Sequence, residues 1–271
     1  MKALTLTLKA APAQRVDLAP ITPDNLRGKK AADIGRIRLQ SGNRALAVAD
    51  LFTVTAGSSD DVVIRKCSSK FDNVGAGMGS GSLTIYGHTG HRTGAQMHGG
   101  TLTVRGSTLD WAGTGMAGGT LVIHGDTGRC LGAAWPGDAQ GMRNGTIIVC
   151  GNAGERVGDK MRRGAIVIEG NAGDYCGARM ISGSILVCGK AGDFIGYSMK
   201  RGSILLTRAP RLPATFNDCG TFEFGFLPLL LRSLGRLSRR AAALSKRASA
   251  RAQRYAGDLA NVGKGELLVL G

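Results

Sequence analysis

The stretch GAIVIEGNAGDYCGARM, Gly164 to Met180, decides how this chain reads, because its pattern recurs from Gly81 to Thr207 with one interruption. Methionine returns at Met78, Met97, Met116, Met142, Met161, Met180 and Met199. Glycine follows three residues later, at Gly81, Gly100, Gly119, Gly145, Gly164, Gly183 and Gly202. Both series step by 19, 19, 26, 19, 19 and 19 residues, so the lone 26 is a seven-residue insertion. A fixed period near 20 marks a repeat architecture, in which no unit buries its apolar face alone and neighbours stack to make a core.

Within one unit, Gly81 to Gly87 is a short alternating strand bracketed by glycines. The row headed by Leu83 continues as Leu102, Leu121, Ile147, Ile166, Ile185 and Ile204, and that headed by Ile85 as Val104, Ile123, Val149, Ile168, Val187 and Leu206. Both are aliphatic throughout and should point inward, so Thr84 and its equivalents point outward. That outward row starts polar at Thr84 and Thr103 but becomes Val122, Ile148, Val167, Leu186 and Leu205. An aliphatic stripe left wet invites aggregation. It must be covered, by the apolar segment Phe224 to Leu234 or by another subunit; the length of that segment favours a single helix laid along it.

Glycines at 87, 106, 125, 151, 170 and 189, and again at 94, 113, 132, 158, 177 and 196, mark corners. Glycine does not recur every third residue, which excludes collagen, and 19 is not a multiple of six, which disfavours the left-handed hexapeptide helix. The fold predicted is mainly β: a right-handed parallel β-helix of about seven coils, with a small α/β N-terminal cap and a C-terminal helix. At roughly 4.8 Å per layer, its six complete coils make a rod on the order of 30 Å long.

The 271 residues divide into a cap at 1–60, the repeat at 61–207, and a crossing segment, basic helix and tail at 208–271. Leu4, Leu6 and Leu8 form one strand face, and Met1 to Leu8 alternates rather than forming a secretory leader. The longest apolar run, Phe226 to Leu231, is too short to cross a bilayer, so a soluble, cytoplasmic protein is expected. Thr22 and Pro23 read as an N-cap and first helical position, and a strand is expected at Arg36 to Leu39. Asp61 to Met78 resembles an imperfect first coil. After Thr207 a helix is predicted from about Leu227 to Tyr255, and Leu267 to Leu270 is a candidate last strand.

The formal charge is +16, and Arg232 to Arg254 carries eight basic residues and no acidic one. Such a balance calls for an acidic partner. No basic-aromatic stacking platform or nucleic-acid motif accompanies it, so an acidic protein surface or polyanionic ligand is favoured over nucleic acid. The insertion carries Ala134, Trp135, Pro136, Gly137 and Asp138. Trp135 is either a partner anchor or folds back on its own coil.

No catalytic, cofactor-binding or metal-binding residue is expected in this chain. His88, His91 and His98 invite a metal reading, but the row of His88 continues as Ser107, Asp126, Asn152, Asn171 and Lys190, with no shared ligand chemistry. Asp110, Glu155, Asp174 and Asp193 stack in the row of His91 and Arg129, as a solvated surface ladder. Cys150 and Cys188 lie two coils apart, about 9.6 Å by layer spacing, beyond the ~7 Å reach of a disulfide. The glycine turns precede no helix, unlike phosphate loops.

The unit G-T-L-x-V-x-G-x-x-G-x-x-x-G-x-x-M, in Gly119 to Gly132 and Gly164 to Met180, resembles the glycine-repeat β-helix shared by the C-terminal part of glutamate synthase large subunits and the C subunit of formylmethanofuran dehydrogenases. The flanks resemble the latter family: Asn43 with Asp50-Leu51-Phe52, Leu212 to Phe216, and Arg254 to Leu259 with Gly263 to Glu266. The resemblance implies a non-catalytic subunit of a one-carbon complex. In the bacterial form, towards which the arginine- and alanine-rich tail inclines, the complex moves a formyl group from a tetrahydromethanopterin-type carrier to a methanofuran-type carrier and hydrolyses it to formate. The alternatives are an archaeal-type tungsten or molybdenum dehydrogenase and a glutamate-synthase-like domain. The methanofuran-type carrier and the metals are then expected in partner subunits. The acidic partner is another subunit or the carrier's glutamate-rich tail.

Overall fold

The computed structural model describes residues 2–236, 238–247 and 250–270. The fold is mainly β and is dominated by one 13-stranded sheet. Its centre is Ser82–Gly87, His98–Arg105, Gly118–Ile123, Thr146–Val149, Ala165–Ile168, Ser184–Val187 and Arg201–Leu206, one strand per repeat, each parallel to the next. Register follows the period: Leu83 faces Leu102, Leu102 faces Leu121, and Leu121 faces Ile147 across the insertion. Both inward rows are buried, as the alternation requires. A narrower parallel ladder joins Thr108, Thr127, Ala153, Ala172 and Ala191.

The methionines are part of this packing. All seven repeat methionines are fully buried. A Cβ placed on Gly100, Gly164, Gly183 or Gly202 would come within 2.6–2.9 Å of the terminal methyl of Met78, Met142, Met161 or Met180 in the preceding unit. Each glycine therefore leaves room for the methionine of the layer before it, which is why the two residue types keep one spacing.

At its first end the sheet continues through Ser58–Cys67 and Ala3–Leu8, both parallel, to antiparallel Phe52–Thr55. Val62 and Ile64 sit opposite Leu83 and Ile85, and a bulge at Lys66 (φ 61°) adjusts the longer first unit. The Thr22 hydroxyl accepts the Asn25 N–H (3.3 Å) at the start of helix Pro23–Leu26. The strand predicted from Arg36 begins instead at Arg38, because residues Ala31–Arg36 form a helix that buries Ile34. This segment is pinned to the repeat by carboxylates. Asp24 accepts the N–H groups of Gly79 (2.8 Å) and Ser80 (3.2 Å), while Asp72 accepts from Arg15 Nε (2.6 Å) and the His91 N–H (2.7 Å).

At the other end Lys264–Leu270 pairs in parallel with Arg201–Leu206, followed by antiparallel Arg251–Gly257 and Asn217–Glu223. The helix predicted from Leu227 to Tyr255 is broken into Phe226–Gly235 and Arg239–Arg247, and Tyr255 belongs to a strand. Close packing explains the break: a Cβ on Gly235 would lie 2.9 Å from the Ala242 Cα, so glycine lets the two helices meet. Ser238 then starts the second helix by accepting the Ala241 N–H (3.1 Å), and its hydroxyl donates to Glu169 (2.5 Å) on the repeat. The outward stripe is covered by the chain itself. Ile148, Val167, Leu186 and Leu205 form a second core with Leu227, Leu231, Leu234, Ala241, Ala252, Leu268 and Leu270. Two helices and two strands thus do what was expected of a single helix. Among the described residues no helix is long and apolar enough to cross a membrane.

Replacing Val167 and Leu186 together by lysine should destabilise the isolated chain by roughly 3–6 kcal/mol, from lost burial of two aliphatic side chains, as read by urea unfolding. The anchoring carboxylates make the first end sensitive to pH. Burial pulls the pKa of Asp24 and of Asp72 upward, but Ser80 with the Gly79 and Ser80 N–H groups, and Arg15 with the His91 N–H, outweigh it and hold both below the usual carboxylate range. Their contribution is complete above the unfolded value near ~4 and is lost as pH falls through the lowered folded values. Hydrogen exchange should therefore show residues 15–36 losing protection in acid before the repeat strands do.

Candidate functional site

Beyond each strand the backbone turns through alternating left-handed positions. Among the described residues, twelve that are not glycine have positive φ, and all but Lys66 fall into two series that follow the period. One series is Asn73, Arg92, Trp111, Cys130, Arg156, Tyr175 and Phe194; four positions further on lie Gln96, Lys160, Arg179 and Ser198. Each such non-glycine residue carries strain of about 1–2 kcal/mol. Bonds between layers hold them: the N–H groups of Arg92, Trp111, Cys130, Arg156 and Tyr175 donate to the carbonyls of Asp110, Arg129, Glu155, Asp174 and Asp193 at 2.8–3.0 Å. The corner thus repeats layer on layer, and side chains of this series gather along one face.

On that face the insertion builds a wall. Its turn closes with the Asp138 N–H on the Trp135 carbonyl (2.9 Å), and Lys160 Nζ donates to the Asp138 carbonyl (2.8 Å). Trp135 packs edge-on against Trp111 (centroids 5.1 Å apart) with the Arg92 guanidinium 5.5 Å from its ring centre. Trp135 therefore folds back on the repeat, yet it stays 38% exposed. On the other side Arg156 lies over Tyr175 (4.8 Å), and Tyr175 stacks on Phe194 (4.8 Å). Between them opens a cleft of about 410 Å³. Buried Asp159 anchors its floor, accepting from Arg179 Nε at 2.8 Å with Arg156 at 3.9 Å. Cys130 lines the same cleft, where burial, reinforced by the charge of Asp159, raises its thiol pKa and keeps it a poor nucleophile at neutral pH.

The polar rows weighed from the sequence hold layers together. His88 Nδ1 accepts the Ser107 N–H (3.1 Å), Ser107 Oγ the Asp126 N–H (3.1 Å), Asp126 the Asn152 N–H (2.7 Å), Asn152 the Asn171 N–H (2.9 Å) and Asn171 the Lys190 N–H (2.8 Å). Asp110 and Asp174 do the same for the N–H groups of Arg129 (2.9 Å) and Asp193 (2.8 Å). His91 binds Asp72 through its backbone, and His98 packs over Gly79, so the three histidines serve separate contacts. Among the described residues no group of three or more His, Cys, Asp or Glu is arranged to hold a metal ion. All six cysteines are free.

The aromatic and arginine face escaped the sequence reading, although its positions recur two residues before Gly94, Gly113, Gly132, Gly158, Gly177 and Gly196. Their left-handed conformation is invisible when the residue is arginine or tryptophan rather than glycine.

Residues 54–218 match the family model described as the GXGXG motif. The Fhc C subunit of the formyltransferase/hydrolase complex of Methylorubrum extorquens is 40% identical over 88 residues, 32% of this chain and 33% of that protein. The C subunit of the tungsten-containing formylmethanofuran dehydrogenase 2 of Methanococcus maripaludis is 30% identical over 92 residues, 33% of this chain and 34% of that protein. In these two comparisons the chain spans about a third of the relative's length. Over nearly the whole chain it is similar to a chain in the crystal structure of the formyltransferase/hydrolase complex FhcABCD from Methylorubrum extorquens with methylofuran: TM-score 0.91, 40% identity, 98% of this chain and 99% of that one.

Burial pushes the thiols of Cys67 and Cys176 up to about 12 and that of Cys188 up to about 11. Alkylation of the native chain at about pH 8 should leave Cys67 and Cys176 unmodified, whereas denatured chain should react at all six cysteines, as counted by intact-mass spectrometry.

Proposed function

The chain belongs to the GXGXG motif family, and from that premise we propose that it is the C subunit of a cytoplasmic formyltransferase/hydrolase complex and contributes structure rather than catalysis. The observation that carries the reading is 40% identity over 98% of the chain, at a TM-score of 0.91, to a chain of the FhcABCD complex. The similarity favours this assignment over a tungsten dehydrogenase, since over stretches of nearly equal length the formyltransferase/hydrolase C subunit is 40% identical and the dehydrogenase C subunit 30%. It also favours it over a glutamate-synthase-like domain, because both flanks of the repeat are included.

A structural role agrees with how the reactive side chains are used. Asp72, Asp110, Asp126 and Asp174 accept backbone N–H groups of the next layer, so their lone pairs build the stack. Formyl transfer, its hydrolysis, the methylofuran-type carrier and any metal then belong to partner subunits, and no step of that chemistry is assigned to a residue of this chain. In finer detail, we read the stack as a right-handed parallel β-helix of about seven coils spanning 61–207, between a small α/β cap at 1–60 and a C-terminal part at 208–271. The consistent step of the parallel register and the usual hand of parallel crossovers support this. Exposed Arg232, Arg236, Arg239 and Lys246 on the C-terminal helices offer an acidic neighbour several weak contacts at once.

Co-expression with the other subunits of the host's complex tests this. The chain should co-purify with them in fixed stoichiometry, and the complex should form formate from a formylated carrier while the isolated chain does not. Turnover by the pure isolated chain, or failure of the wild-type chain to join the complex, would overturn the reading.

A further inference from the structure

We infer that the cleft between the Trp111–Trp135 pair and the Arg156–Tyr175 stack is a docking groove for an extended, acidic segment of a partner subunit. The inference rests on the reading of the chain as a subunit of a complex and names the face through which it engages. The cleft interrupts an otherwise regular stack: the seven extra residues that raise its wall are the one break in the 19-residue period. The residues facing it are not demanded by the backbone. Positive φ at 111 and 156 favours glycine or asparagine, as Asn73 at the head of the series illustrates, yet these positions hold tryptophan and arginine.

Charge identifies the occupant. Arg129, Arg156, Lys160 and Arg179 line the cleft against Glu155 and Asp159. Asp159 is occupied by Arg179, while the Lys160 ammonium donates to a backbone carbonyl. Arg156, 4.8 Å from the Tyr175 ring centre, reaches Asp159 with one nitrogen at 3.9 Å and keeps further N–H groups for a second carboxylate. The exposed face of Trp135 offers an apolar side chain a platform beside these cations. A continuous polyphosphate fits poorly, because Asp110, Glu155, Asp174 and Asp193 run down the neighbouring row and would repel it layer after layer. Discrete carboxylates on a peptide can avoid that row.

Trp111 and Trp135 are the only tryptophans in the chain, so intrinsic fluorescence reports this cleft. In the complex formed with the full-length chain, Lys160→p-benzoylphenylalanine should photo-cross-link to one partner-subunit segment of net acidic composition, identified by mass spectrometry. Adding the purified partner subunits to the wild-type chain should change its tryptophan emission. Arg129→Glu combined with Lys160→Glu should weaken that binding by about tenfold or more at low salt, and by less at high salt. Far-UV circular dichroism and cooperative melting identical to wild type establish that the variant folds. A cross-link to a neutral or basic segment, no cross-link to any partner, or binding by the double variant within about twofold of wild type would overturn the inference. If the wild-type chain assembles and the double variant assembles equally well, the groove is wrong and the functional reading stands. If the wild-type chain does not assemble, the functional reading itself fails.

Discussion

Close approach of successive backbones at the corners is the constraint on which the rest of the structure depends. A Cβ on Gly87 would sit 2.3 Å from the Cys67 carbonyl oxygen, and one on Gly106 would sit 2.2 Å from that of Gly87. Neither gap can widen without pulling apart the parallel strands on either side, because layer spacing is fixed by their hydrogen bonds. Glycine at these corners is therefore a condition of stacking. The same closeness brings each layer's side-chain oxygens within reach of the next layer's N–H groups, which is why polar residues at the turns become ladders.

Those ladders separate what the chain needs to stand from what it has to spare. Asp72, Asp110, Asp126, Asn152, Asn171 and Asp174 are engaged by the layer above them. Arginine and aromatic residues of the left-handed series are not needed for stacking beyond their backbone groups, and their side chains are free to vary from unit to unit. The outward strand row divides in the same way. Thr84 and Thr103 lie beyond the reach of the C-terminal helices and remain partly exposed, while Ile148, Val167, Leu186 and Leu205 lie beneath them and are buried.

Much of this was legible in the sequence because the period ties each residue to its neighbour in space. The row from Leu83 to Ile204 could be placed inward, and the row from Ile148 to Leu205 assigned a cover, from alternation alone. Legibility ended where geometry depends on contacts outside the period. Arg232 to Arg254 is rich in helix formers, so its only break signals were Gly235 and Ser238; the first acts through Ala242 and the second through Glu169, 69 residues away in sequence. Helix Ala31–Arg36 is held by the tertiary packing of Ile34. The cleft was half legible: Trp135 stood out as an insertion tip, but its partner Trp111 looked like one more corner residue.

The strand order carries a consequence for the newborn polypeptide. Ile148 to Leu205 can stack as soon as those residues leave the ribosome, yet their cover comes from Leu227, Leu231 and Leu234 and from Leu268 and Leu270 on a strand threaded between Arg201–Leu206 and Arg251–Gly257. The apolar flank is thus not fully covered until residue 270 has been made, and until then an incomplete chain presents part of an adhesive ribbon to its neighbours on the same polysome. Molecular chaperones that recognise such ribbons have a defined window and a defined target here, and the window closes when the last strand slots in.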